Sequence, residues 1–301
     1  MSIQKHRGYN QSYNISKYVI YVSILIFSLI CLIPFILVII ISLTPQELIK
    51  ENGYRFFPSR LNFEAYRYIF RFPKMILNGY KVSFFITIVG TFMNIVLSLL
   101  IAYPLSRPNF KYKRIISFYV FFTMMFSGGL VPYYIMVKQV LNLGDNIWVL
   151  ILPLMVVPTN IFLLRIFIQG GIPEALYESA KLDGASEYKI LYKLIIPLVK
   201  PGIATVTMFI MLMYWNDIFT AKLFISDQDL FPLQLLLDNF TEYIKYLSVN
   251  SIGAGIINPV DIPSDSILFG MCVIATGPML FVFLFFQKYF VSGLTMGAVK
   301  N

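Results

Sequence analysis

From Tyr18 to Gln46 the chain runs through isoleucine, leucine, valine and phenylalanine without a single Asp, Glu, Lys or Arg. One bilayer crossing needs roughly 20 such residues, so this run alone commits the chain to a membrane. Composition agrees: of 301 residues, 58% are hydrophobic and 13% charged, where a soluble domain carries about 25% charged residues. The polar, basic segment ahead of the run is not followed by a small-residue cleavage site, and it is read as a tail leading into an uncleaved helix.

Five further apolar runs follow. Together they predict an all-α integral membrane fold with six transmembrane helices at about 18–43, 82–105, 115–137, 147–164, 200–221 and 267–287. The fourth run contains Pro153 and Pro158 and is expected to kink, because a proline leaves a carbonyl that neighbouring groups must satisfy. Asp217 interrupts the fifth. An even number of spans places both termini on one side. With that side inside, segments 1–17, 106–114, 165–200 and 288–301 hold fourteen of the 24 Lys and Arg residues. The short, acid-free NFKYKR loop carries most weight in that orientation. The net charge of +9 therefore reads as topology rather than as a nucleic-acid face.

Two outer loops are long. The one between spans one and two has helical spacing in RLNFEAYRYIF and is expected to fold as a small extracytoplasmic element. The loop 222–265 gathers Asp227, Asp229, Asp238, Glu242, Asp261 and Asp265. Its LFPLQLLLDNFTEYIKYL segment reads as an amphipathic helix and the following NSIGAGIINPVDIPSDS as an irregular loop. An ordered exterior loop of that size suggests a partner or a lid.

Several chemistries lack material. His6 is the only histidine, so imidazole catalysis and histidine metal sites have almost no material. Cys31 and Cys272 both sit inside apolar runs and read as buried thiols. No phosphate-cradling GxxxxGK[ST] loop occurs, so energy must come from a gradient or from another chain. Ion-driven carriers keep ionisable groups at membrane depth, and these spans are nearly free of them. Asp217, beside Trp215 and Asn216, has two readings. Either span five ends there, with the carboxylate at the interface, or the three residues line an aqueous cavity where Trp215 offers a stacking face to a sugar.

The inner segment RIFIQGGIPEALYESAKLDGASEYKILYKLIIPLVKP is the most informative. Pro173 opens a short helix, with Glu174 in its first turn against the positive end of the helix dipole. Asp183 and Gly184 stop it, the glycine suiting a left-handed position. Ser186 is an N-cap for a second helix whose Ile190, Leu191, Leu194 and Ile195 recur at helical spacing. Pro197 and Pro201 lead into span five. The product is helix, tight turn, helix, with small residues Ala180, Gly184 and Ala185 able to sit deep in a groove on another protein.

Glu178, Ser179 and Ala180, then Asp183, Gly184 and Ala185, then Ile196, Pro197 and Pro201 resemble the EAA signature of ABC importer permeases, with Ser179 where alanine is usual. NFEAYRYIF, AYPLSR, SGGLVPYYIMVKQVLNLGDNIWVLILP, YWNDIF and KYFVSGLTMGAVK extend the likeness to the carbohydrate-uptake branch, in particular to the small subunit of maltose-type permeases. SGGLVPYY and FPLQLLL are similar to its members for oligosaccharides and polysaccharide fragments.

The resemblance implies a type I ABC importer permease core in the plasma membrane of a bacterium, with cytoplasmic N- and C-termini and no catalysis of its own. It implies a second, homologous permease subunit, a cytoplasmic ATPase dimer and an extracytoplasmic sugar-binding protein as partners. This chain would bind lipid, no nucleic acid, no metal and no cofactor, with ATP and Mg on the ATPase. Glu178, Ser179, Ala180, Leu182, Asp183, Gly184, Ala185 and Pro197, within a coupling hairpin at 173–197, would engage the ATPase. The loop 222–265 would reach the binding protein. Gly293, Leu294 and Gly297 in the tail would be a second cytoplasmic contact. A gradient-driven carrier and a non-transporting membrane sensor are the other classes the residues leave open.

Overall fold

The computed structural model describes residues 3–71, 73–254 and 264–298, with side chains described for 17–71, 73–246 and 265–289. Among these residues there is no strand. The helices in order are α1 (Ile3–Ser42), α2 (Gln46–Asn52), α3 (Glu64–Ile69), α4 (Pro73–Ser106), α5 (Lys113–Met125), α6 (Leu130–Ile135) and α7 (Pro158–Gly171). There follow α8 (Glu174–Leu182), α9 (Glu187–Ile190), α10 (Ile196–Leu198), α11 (Lys200–Asn216), α12 (Ile218–Phe224), α13 (Leu233–Ala254) and α14 (Ser264–Ala298). By length and hydropathy, four stretches can cross a bilayer: Lys17–Ser42, Pro73–Ser106, Lys200–Phe224 and Asp265–Tyr289. Two bent helix pairs bring the number to six if each counts as one span.

The helices form two compact units. In the first, Met1–Arg71 with Thr241–Ile274, the run from Tyr18 to Ile39 of α1 is apolar on every side and exposes most of its surface, as a helix does when its solvent is lipid. The segment after α1 folds onto the start of α14. Gln46 is the key side chain: its Oε1 accepts from the backbone N–H of Asp265 (3.1 Å) and of Ser266 (3.3 Å), and its Nε2 donates to the Asp265 carboxylate (2.7 Å). It thereby caps a helix end whose first amides have no partner of their own. The Ser266 hydroxyl donates to the Thr44 carbonyl at 2.6 Å, and the Tyr66 and Ser42 hydroxyls share a bond of 2.9 Å. α3 is the helix expected in RLNFEAYRYIF.

The second unit, Phe72–Phe240 with Ala275–Asn301, is built on α4, with α7 and α11 packed along it. Within a bilayer the gain comes from close packing and internal hydrogen bonds, since lipid is as apolar as leucine. The chain supplies both. Gly90 and Gly202 carry no side chain where the rings of Tyr214 and Phe167 press in. Leu105, Ile161, Leu164, Ile168 and Ile195 fill the space between helices and are fully buried. Pro158 cannot bond the carbonyl of Leu154, and Asn94 of α4 donates to that oxygen at 2.8 Å while accepting from Asn160 of α7 at 3.0 Å. The freed carbonyl and both amides are thus served inside the membrane, as they must be.

Four expectations need correction. Span three is not one helix: α5 is followed by a 110° bend before Leu130–Val140. The cause is Gly128–Gly129, with Gly129 at φ 86°, a conformation that side chains disfavour. The 13 residues of α5 reach about 20 Å, short of a core of about 30 Å. The kink of span four is real but takes the form of 3₁₀ turns at Ile147–Leu150 and Leu152–Leu154, a 46° bend, and then α7 running on to Gly171. The polar termini are not separate from their spans. α1 begins at Ile3, and α14 continues from span six through 288 to Ala298, while Asn250–Ala254 of the supposed irregular loop belongs to α13. Finally, Cys31 and Cys272 are exposed on the surfaces of α1 and α14.

The loop ahead of span four is fastened to the segment after α12. Asp145, at φ 50°, donates its N–H to the Phe224 carbonyl (3.0 Å) and accepts at Oδ1 from the amides of Ser226 (2.5 Å) and Asp227 (3.0 Å). Those two amides hold its carboxyl below the usual carboxylate range. Acids of the long loop serve the fold as well, Asp238 pairing with Lys222 at 2.9 Å and the Asp229 carbonyl accepting from Asn78 at 2.7 Å.

Candidate functional site

The hairpin is built almost wholly from local turn chemistry. Pro173 stands one position ahead of α8 as its N-cap, at φ −59°, rather than inside the first turn. α8 ends in two bonds characteristic of a left-handed stop: the Ala185 N–H donates to the Ala180 carbonyl and the Gly184 N–H to the Lys181 carbonyl, both at 3.0 Å. The bonds require the residue between to turn left-handed, and Gly184 does so at φ 74°. Ser186 then caps α9, accepting from the Lys189 amide at 3.4 Å. Pro197 lacks an N–H and crowds the carbonyl of Lys193, and the helix widens into a π-turn over Leu191–Ile195. At Val199 (φ −95°, ψ 9°) the direction changes before Pro201 and α11.

The two arms are anchored differently. The second sends Ile190, Leu191, Ile195 and Val199 into the core with Leu99, Ala102, Tyr103 and Ile168. The first, α8, buries no residue completely. Tyr177 and Ala180 lie partly against the core; the remainder of its attachment is polar and converges on the end of α4. The Arg107 side chain, 8% exposed, stacks over Tyr177 at 4.5 Å and Tyr103 at 5.7 Å and lies 3.7 Å from the Glu174 carboxylate. Desolvated stacking of this kind is worth up to about 2 kcal/mol. Glu187 receives the hydroxyl of Tyr177 (2.8 Å), the hydroxyl of Tyr103 and the ammonium of Lys181 (2.5 Å). A cavity of about 820 Å³ opens beside this cluster, lined in part by Tyr103, Arg107, Phe110, Glu178 and Lys181.

Burial favours the protonated form of Glu187, but donation from Lys181, Tyr103 and Tyr177 outweighs it and sets its pKa below the usual glutamate range. A depressed folded-state pKa gives stabilisation that is complete above the unfolded value and lost as pH falls through the folded one. Amide exchange in α8, corrected for intrinsic rates, should therefore stay flat from neutral pH down to the glutamate range of about 4.3 and accelerate only below it. Glu187→Gln should remove the acid step.

The hairpin turns large apolar and aromatic side chains outward among its charges. Leu182 is 89% exposed, Tyr188 80% and Tyr192 73%. With Glu178, Ser179 and Asp183 they form a surface that is uncovered among the described residues. The structure thus brings Glu178, Ser179, Ala180, Leu182, Asp183, Gly184 and Ala185 into one turn, with Pro197 behind them at the π-turn. Sequence reasoning does not single out Tyr103, Arg107, Tyr177, Lys181 and Glu187. AYPLSR stands out there without a role.

The expected sugar-facing trio does not hold together. Trp215 is 2% exposed, its Nε1–H donates to the Ala275 carbonyl at 2.9 Å, and its ring meets the edge of Phe84 at 5.2 Å. Packing has taken the face that a sugar would need. Asn216 is exposed and donates to the Leu212 carbonyl at 2.9 Å. Asp217 caps α12, accepting from the Thr220 N–H at 3.1 Å. Asparagine caps as well as aspartate, whereas alanine costs about 1 kcal/mol. Asp217→Asn should accordingly keep wild-type activity and melting temperature and Asp217→Ala should melt lower; a large activity loss in Asp217→Asn would restore a role for the charge. Gly293, Leu294 and Gly297 fall in the last turns of α14, and their side-chain surroundings lie outside the described residues. Among the described residues, no cluster of His, Cys, Asp or Glu could hold a metal ion.

Several membrane-crossing helices with a helix-turn-helix whose tip is uncovered among the described residues form an arrangement that suits a membrane permease. Residues 94–296 match the family described as the binding-protein-dependent transport system inner membrane component, and the chain belongs to it. It is 38% identical over 282 residues to the polygalacturonan/rhamnogalacturonan transport system permease protein YtcP of Bacillus subtilis, covering 94% of this chain and 97% of that one. It is 30% identical to the trehalose transport system permease protein SugB of Mycobacterium tuberculosis, over 90% and 93% of the two chains. A crystal structure of a bacterial ABC transporter involved in import of the acidic polysaccharide alginate contains a chain that superposes with a TM-score of 0.75 at 28% identity, covering 93% of this chain and 98% of that one. The importer permease fold expected from sequence is thus the fold of this multi-pass membrane protein, with four continuous spans among the described residues and six if the bent pairs of spans three and four each count as one.

Proposed function

We propose that this chain is the translocation subunit of an ATP-driven importer of an oligosaccharide or polysaccharide fragment. The observation that carries the reading is the hairpin, a left-handed stop at Gly184 flanked by exposed Leu182 and Tyr188, in a chain whose relatives are named as sugar permeases. A second permease subunit completes the pore, and an extracytoplasmic binding protein delivers the sugar to the side of loop 222–265. On the opposite, cytoplasmic side, where both termini lie, an ATPase dimer carrying ATP and Mg receives Glu178 to Ala185. Gly293, Leu294 and Gly297 would extend that contact. A permease couples to hydrolysis only if the ATPase binds one of its conformations more tightly than the other, and the hairpin supplies the surface for that difference.

Copurification from a native membrane, followed by uptake in proteoliposomes, tests the proposal. The expected result is recovery of a second permease and an ATPase, and uptake that requires binding protein and ATP. Oligogalacturonides, arabino-oligosaccharides and trehalose form the first panel. A chain that transports alone on an ion gradient is a carrier, and one that binds a cytoplasmic partner but moves no sugar is a sensor; either overturns the proposal.

A further inference from the structure

Besides passing forward along the second arm into α11, a force applied to α8 has two routes into the membrane. One is the chain itself, backward through Gly170, Gly171 and Ile172 into α7. Gly170 and Gly171 would meet nothing within 4 Å if they carried a Cβ, so this part of the joint is unpacked and pliant, although Ile172 after it is buried in the core. The other route is through space, from α8 to the end of α4 by way of Arg107 and Glu187. Arg107 is fixed from behind: its Nε donates to the Ser106 hydroxyl at 3.1 Å, and the Ser106 hydroxyl donates to the Tyr103 carbonyl at 2.6 Å. Its own carbonyl accepts from Lys113 at 3.2 Å, and the Ser106 carbonyl accepts from Gln169 at 3.2 Å. Glu187, on the second arm, joins three elements at once, α4 by Tyr103 and α8 by Tyr177 and Lys181.

We propose that Arg107 and Glu187 are positioning residues that latch α8 to the end of α4, so that displacement of the hairpin reaches span two directly through space instead of passing first along the chain into span four. This rests on the reading of the hairpin as the ATPase contact. The latch does not touch sugar or nucleotide. It converts a hairpin held mainly by its second arm into a body that travels with α4. The geometry suits such a latch, because a guanidinium held against two rings resists tilting and a carboxylate with three donors resists separation of the arms.

The test uses the complete importer in proteoliposomes, with oligogalacturonide as the first probe sugar, and reads sugar moved per ATP hydrolysed. Arg107→Ala and Glu187→Ala should lower that ratio about tenfold, within the usual span of coupling effects, while the complex still assembles because the second arm of the hairpin keeps its own core contacts. Glu187→Asp should recover part of the ratio. Insertion of two glycines after Gly171 should leave it unchanged. If the alanine variants lose transport and hydrolysis in parallel, or if the glycine insertion uncouples them while the alanine variants do not, the latch is refuted.

A second measurement needs no sugar and stands apart from the transport reading. With Cys31 and Cys272 replaced by alanine, spin labels at Leu182→Cys and Asn109→Cys should report one narrow distance that broadens in Glu187→Ala. An unchanged distribution refutes the latch whatever the protein transports. An unmodified complex that shows a narrow distance but no ATP-driven uptake refutes the transport reading alone.

Discussion

A Gly184→Asp permease should reach the membrane in normal amount and move essentially no sugar. Gly184 sits at φ 74°, and the space where a Cβ would go is empty, so the substitution meets no clash. Its costs are two. A side chain in the left-handed region is strained by about 1–3 kcal/mol, and the turn can relieve it only by giving up the bonds from Gly184 and Ala185 that close α8. The new carboxylate also joins Asp183 and Glu178 on a face whose outward residues are otherwise apolar. Because α8 buries nothing completely, neither cost reaches the transmembrane core. Asparagine tolerates the left-handed region nearly as well as aspartate and carries no charge, so Gly184→Asn separates the two. Membrane abundance, ATPase copurification and uptake should be measured together: abundance is expected to be normal for both variants, with uptake down at least about tenfold in Gly184→Asp and less in Gly184→Asn. Normal uptake in Gly184→Asp would remove the hairpin from the transport path.

The largest stability effect is expected at Gly90. A Cβ there would lie 2.4 Å from Cζ of Tyr214, a separation that real atoms do not adopt. The ring cannot step aside, for Tyr214 is 1% exposed and its hydroxyl donates to the Ile151 carbonyl at 2.8 Å. That carbonyl belongs to the 3₁₀ region of span four, so moving Tyr214 also strips a hydrogen bond from the broken half of that span. Overpacking typically costs about 1–3 kcal/mol, and a lost bond to a buried carbonyl adds about 1–3 kcal/mol. Gly90→Ala should lower the melting temperature in detergent sharply, and Gly90→Leu should leave little protein in the membrane. Gly202→Ala, whose Cβ would come within 2.5 Å of the half-buried Phe167, should be milder because that ring has room to shift. Gly277→Ala, in α14 with nothing within 4 Å, should be neutral or stabilising, since alanine is the better helix former by about 1 kcal/mol. Equal effects at all three glycines would contradict the close approach of Tyr214 to α4.

What can be read from the sequence divides by the range of the interaction. The hairpin is legible because proline, serine, aspartate and glycine act within a few residues of themselves, and their spacing already contains the turn. Most apolar spans are legible because hydropathy is additive. Span three misleads for the same reason: a sum over residues does not register that Gly128–Gly129 lets the backbone turn away, although the pair is plain in SGGLVPYY. Trp215 misleads because its partners, Phe84 and Ala275, are far away in the chain. The Arg107 and Glu187 cluster is hidden on similar grounds. Its bonds join positions such as Tyr103 and Glu187, 84 residues apart, and no local pattern announces them.

Asn94 is a single side chain that holds the Leu154 carbonyl with one end and Asn160 with the other. Neither bond can be exchanged for water at that depth, so α4 and α7 are pinned in register and cannot slide past one another by a turn without stranding three polar groups in hydrocarbon. A transport cycle that carries this pair must carry it whole. The hinges of the machine then lie elsewhere, where the chain has already surrendered its helical bonds: at the glycine break after α5, at the π-turn before Pro197 and at the interruption between α11 and α12.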